Sequence, residues 1–82
     1  MRHRISIKRI TTGETYDRWA SVRQLDTDTL NIVARYLDIE QEKYFIVYDG
    51  KTWFLHSVVQ DDTNTLTTIV ATRDHDSHVA RA

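Results

Sequence analysis

The sequence predicts an α+β fold, with one amphipathic helix packed on an antiparallel sheet in the order β-β-α-β-β-β. Three observations carry that expectation. Residues 4–10 (RISIKRI) alternate apolar with polar side chains, the period of a half-buried strand. Residues 43–59 (KYFIVYDGKTWFLHSVV) place two β-rich runs around Asp49-Gly50, a strong hairpin signal. Between them, Leu30, Val33, Ala34 and Leu37 recur at i, i+3, i+4 and i+7 behind Asp26-Thr27-Asp28. That is the stripe of a helix behind residues that cap helix N-termini.

The first strand ends at Thr11-Thr12-Gly13-Glu14. A glycine there suits a turn closed by a left-handed residue, the G1-bulge hairpin. Thr15 to about Val22 should therefore return as a second strand, with Tyr16, Ala20 and Val22 on one side and Trp19 on the other. The helix follows for about ten residues or slightly more. Ile32 and Tyr36 lie off its main stripe, so more than half its girth is apolar. One sheet face does not cover such an arc, so a second contact is expected.

The third and fourth strands meet at Asp49-Gly50. A two-residue loop fixes their register: Tyr48 opposite Lys51, Val47 opposite Thr52, Ile46 opposite Trp53 and Phe45 opposite Phe54, with Tyr44 facing Leu55. One face then carries Tyr44, Ile46, Tyr48, Trp53 and Leu55. The other carries Phe45, Val47, Phe54 and Val58, diluted by Thr52 and His56. Phenylalanine and valine lack a polar tip, so the second face is assigned to the core against the helix. The polar cluster Gln60 to Asn64 makes a turn, and TLTTIVAT (65–72) reads as a last, β-branched strand. Residues 1–72 form the single expected domain. Residues 73–82 (RDHDSHVARA) have no periodicity and are expected to be a flexible tail.

Composition bounds the function. The chain has 82 residues, 40% of them hydrophobic and 28% charged, and no cysteine or proline. One globular domain is expected, with no disulfide and no thiolate chemistry. No apolar run approaches the ~20 residues of a transmembrane helix, and no apolar segment follows the charged N-terminus as in a secretion signal. The expected setting is cytoplasmic. Residues 1–23 carry six basic and two acidic side chains, and the remainder carries five basic and ten acidic ones. Such polarity steers charged partners.

Site chemistry is thin. Asp74-His75-Asp76-Ser77-His78 offers imidazoles and carboxylates, but a tail does not hold four ligands rigidly, so no metal site is assigned. His56 is the only histidine inside a strand and has no nucleophile or orienting acid at a recognised spacing. No catalytic residue and no cofactor are assigned. The expectation is a non-enzymatic protein-binding module, a small regulator or inhibitor that also self-associates. Tyrosine and tryptophan tolerate a wet free state and anchor interfaces. The expected contact face is therefore Tyr44, Ile46, Tyr48, Trp53 and Leu55. The alternative is nucleic-acid binding by the N-terminal hairpin, where Arg2, Arg4, Lys8, Arg9 and Arg18 mingle with Tyr16 and Trp19.

Overall fold

The computed structural model describes residues 2–73, and all of its regular structure is β. Six strands, β1 (His3–Arg9), β2 (Thr15–Asp26), β3 (Thr29–Arg35), β4 (Tyr44–Tyr48), β5 (Lys51–Gln60) and β6 (Leu66–Thr72), close into a barrel in the order β1-β2-β3-β6-β5-β4. Every neighbouring pair is antiparallel. Among the described residues no helix is long and apolar enough to cross a membrane. The α+β expectation is thus overturned: the segment expected to be a helix is β3.

The misreading has a physical cause. Leu30, Ile32 and Ala34 alternate with Asn31, Val33 and Arg35, and it is this two-residue period that the fold uses. The first three are buried. The supposed helix cap is a turn. The Asp26 carboxylate accepts the Asp28 N–H at 2.8 Å and so closes the β2–β3 hairpin. An Asx turn and an N-cap use the same side-chain acceptor, so the local residues do not separate them.

Both glycine turns form as the sequence predicts. Gly13 (φ 71°) donates its N–H to the Arg9 carbonyl and closes β1 onto β2. Asp49 (φ 56°) and Gly50 (φ 71°) both take left-handed backbone, as a type I′ turn demands. The resulting register pairs Ile46 with Trp53 and Phe45 with Phe54, as expected.

The faces of that hairpin are inverted relative to expectation. Ile46, Trp53 and Leu55 point into the barrel and are buried, and Tyr44 and Tyr48 pack against the same core. Phe45, Val47 and Phe54 are only partly covered, on the outer wall. The two phenyl rings lie 6.4 Å apart, and the Lys8 ammonium sits over Phe45. A bulge between Leu55 and Ser57 moves Val58 opposite Ile69, so this residue alone of the four joins the core.

Closure explains how so short a chain hides its apolar surface without a helix. Inward residues of all six strands converge: Ile5 and Ile7, Ala20, Leu30 with Ile32 and Ala34, Ile46, Trp53 with Leu55, and Ile69 with Ala71. Large and small side chains alternate around the wall, with Ala71 between Leu30 and Leu55. At one end, Ala20, Ala34 and the buried Thr67 make a row of small side chains. There the connection between β3 and β4 drops Leu37 and Ile39 into the core as a plug. The Thr67 hydroxyl accepts the Leu37 N–H (2.9 Å) and donates to Gln60 Oε1 (2.5 Å), and Gln60 Nε2 donates to the Leu37 carbonyl (2.9 Å).

A candidate protein interface on the outer wall

The opposite end of the barrel carries the Asp49-Gly50 hairpin tip. Trp53 is only 3% exposed there, its Nε1–H donates to the Tyr48 carbonyl, and the Arg73 guanidinium lies 5.5 Å from its ring centroid. The Tyr48 hydroxyl is 3.2 Å from His3 Nδ1. The face expected to meet a partner therefore lines the barrel. Most of its apolar surface is spent on the chain's own core, while Ile10, Trp19, Leu25, Tyr36 and Val59 stay exposed elsewhere.

The basic residues divide into two sets. On β1, Arg4 and Lys8 point outward from the wall, because the intervening Ile5 and Ile7 point in. Arg2 lies exposed just ahead of the strand. Arg9 and Arg18 have the inward parity and sit over tyrosine rings, Arg9 at 5.9 Å from Tyr44 and Arg18 at 4.6 Å from Tyr16. Burial holds the Tyr16 phenol above its ordinary value. The nearby Tyr44 and the Glu14 and Asp38 carboxylates add to that, and Arg18 opposes it.

The outward set builds an ordered constellation on the β1–β2 wall. Arg4 and Trp19 are directly opposed in the register, and the guanidinium lies 5.9 Å from the indole centroid. Arg4 also pairs with Asp17 at 3.2 Å. Ser6 donates to Asp17 Oδ1 at 2.7 Å, and Arg18 Nη1 donates to the Asp17 carbonyl at 2.8 Å. Trp19 remains 58% exposed. A large exposed aromatic beside an arginine is the pairing that most often anchors protein interfaces. The sequence singled out Trp19 only as a stacking group for nucleic acid. Its outward parity was legible, but the Arg4–Asp17 clasp depends on the β1–β2 register.

Other groups are structural. Asp61 organises the β5–β6 turn: its Oδ1 accepts the Thr65 and Leu66 N–H groups, and its Oδ2 accepts the Thr63 hydroxyl. These bonds, led by that from Leu66, hold the carboxyl below its ordinary range. His56 sits exposed at the β5 bulge. Among the described residues no three His, Asp or Glu side chains gather as a metal site. The Asp74–His78 cluster and the expected tail beyond Arg73 lie outside the described residues. Arg73 itself belongs to the barrel, donating its N–H to the Asp28 carbonyl. No family model, curated protein or solved structure matches the chain.

Proposed function

We propose that the chain is a non-enzymatic protein-binding module whose partner docks on the outer β1–β2 wall, with Trp19 as anchor. The observation that supports this most is Trp19 itself, more than half exposed and lying beside Arg4, which pairs with Asp17. Tryptophan and arginine dominate interface energetics, and a rigid strand presents them better than a loop. Half-covered Phe45, Val47 and Phe54 extend the same wall across β4 and β5. They supply apolar area without further anchors.

Nucleic-acid binding is the second reading, favoured by the cations lying over aromatic rings along β1 and β2. Two features weigh against it. The rings that bases would stack on already carry Arg4, Lys8, Arg9 and Arg18. Asp17 also stands in the middle of the wall, where it repels phosphate.

The test is photocrosslinking in the native cell from a benzoylphenylalanine placed at position 19, compared with one at Asp62, exposed in the β5–β6 turn across the barrel. A discrete protein adduct at 19, absent at 62 and lost in Arg4→Glu, supports the reading. Equal adducts at both positions, or adducts to nucleic acid, would overturn it.

A further inference from the structure

β2 changes partner half-way along its length. Its pairing with β1 runs from Lys8↔Thr15 to His3↔Ala20, and its pairing with β3 runs from Ala20↔Ala34 to Asp26↔Thr29. From Ser21 to Leu25 the strand is therefore bonded on one side only. No other described backbone or side-chain group bonds to its open side. Buried or exposed, such an edge is a template for another strand. Here it is open to solvent: Ser21, Arg23, Gln24 and Leu25 are exposed, and the bulge at Leu25 leaves that side chain 51% exposed. The edge begins two residues past Trp19, so both belong to one surface.

We infer that this edge receives an extended acidic segment of another protein, added antiparallel to β2 in line with β1. The inference rests on the reading of Trp19 as an anchor and adds the form and charge of what docks there. The charge argument comes from the flanks. Arg23 points outward from β2, on the side of Asn31, and Arg2 and Arg4 lie where the added strand would end. Arg4 is paired with Asp17, so the positive charge available to the strand is that of Arg2 and Arg23; the exposed Asp26 and Asp28 at the β2–β3 turn bound the site at its far end. A strand laid on this edge puts its outward side chains beside Arg23 and Arg2, and its inward ones beside Val22, which packs against the core. Carboxylates alternating with β-branched residues satisfy both sides. A second copy would instead bring another Arg2, Arg4 and Arg23 to the same place, and like charges across strands repel.

The experiment uses the full chain, ¹⁵N-labelled, with an acetylated heptapeptide of alternating glutamate and valine. Amide hydrogen exchange is read residue by residue. At saturating peptide, edge-facing amides between Ser21 and Leu25 should slow on the order of tenfold or more, which corresponds to ~1.4 kcal/mol of added protection. Arg23→Glu, whose fold is checked by its unchanged melting temperature, should lose that protection and acquire it for the lysine–valine peptide. Four results would each overturn the inference: no protection, equal protection by the lysine–valine peptide, protection by oligo(dT), or protection that grows with protein concentration alone as the molar mass doubles. The two levels fail separately. Adducts from position 19 with no edge protection sink only the strand-addition inference. Protection indifferent to Trp19→Ala, with no adduct at 19, sinks the anchor reading.

Discussion

Thr67→Val tests how the barrel end is sealed. The substitution keeps the shape of the side chain and its branching, and it favours a strand at least as well. What it removes is one hydroxyl, on a residue with no exposed surface. That hydroxyl is the acceptor for the Leu37 N–H and the donor to Gln60 Oε1. Leu37 is itself buried, so its amide would lose its partner away from water, at a cost of ~1–3 kcal/mol. Gln60 is only partly buried and can turn towards solvent, so its loss adds less. A total of about 2–3 kcal/mol is expected, which lowers the melting temperature by roughly 8–24 °C for a domain this size. Thr67→Ser is the control. It deletes one methyl, ~1 kcal/mol, and keeps both hydrogen bonds. Urea denaturation of the three proteins gives the order wild type, Ser, Val in decreasing stability. Exchange at the Leu37 amide should accelerate in Val but not in Ser. If Val is as stable as Ser, packing rather than the hydroxyl seals the end, and the reasoning fails.

The two tryptophans should behave as opposites. Trp53→Ala empties the core and should cost about 3–5 kcal/mol, whereas Trp19→Ala on the exposed wall should stay within ~0.5 kcal/mol; thermal melts of both settle which ring the fold needs. Gly50→Ala meets no neighbouring atom within 4 Å, so its cost is that of left-handed backbone alone, about 1–2 kcal/mol by chemical denaturation. Asp61 has a folded pKa below its unfolded one, so its contribution is present above the unfolded value and is lost as pH falls through the folded value. Stability measured between about pH 2 and 6 should therefore show an acid limb that flattens in Asp61→Asn, which keeps an acceptor but no titrating charge.

Local chemistry was legible wherever it had one solution. Asp49-Gly50 admits one tight hairpin turn, and Gly13 supplies the left-handed residue after Thr12, so two turns and one full register could be read from the chain. β3 was lost because Leu30-Asn-Ile-Val-Ala-Arg-Tyr-Leu37 satisfies both periods at once. Leu30 and Ala34 belong to either stripe, and the choices between Ile32 and Val33 and between Tyr36 and Leu37 separate them. The hairpin faces were lost for a different reason. Deciding which side of a two-sided apolar ribbon is core requires knowing that the sheet closes, and closure depends on the long-range pairs β3 with β6 and β1 with β4. The bulge at His56 then changes the parity of everything after it, with no residue at that position to announce it. Thr67 and Gln60 carried no signal at all, since their meeting follows from the β5–β6 register and the path of the plug.

The exposed wall and the free edge follow from that same closure. A sheet of six strands closes only if its strands tilt and coil strongly. β2, the longest of them, passes from β1 to β3 at Ala20, which is buried opposite Ala34. A strand that changes partners must have one unpaired side in each half. In the first half, the open side lies towards the β3–β4 connection, whose Asp38 is near enough to raise the Tyr16 phenol. In the second half no described residue is paired opposite, and the edge is left beside Trp19. Replacing Ala20 by a β-branched residue would therefore do more than overfill the core. It would crowd the point where β2 exchanges partners, and both the barrel seam and the presentation of Trp19 should suffer together, seen as a lower melting temperature and a shift in tryptophan emission in one variant. If the emission of a Trp53→Phe background, in which Trp19 alone reports, does not change while stability falls, the partner exchange and the wall are independent and this coupling is wrong.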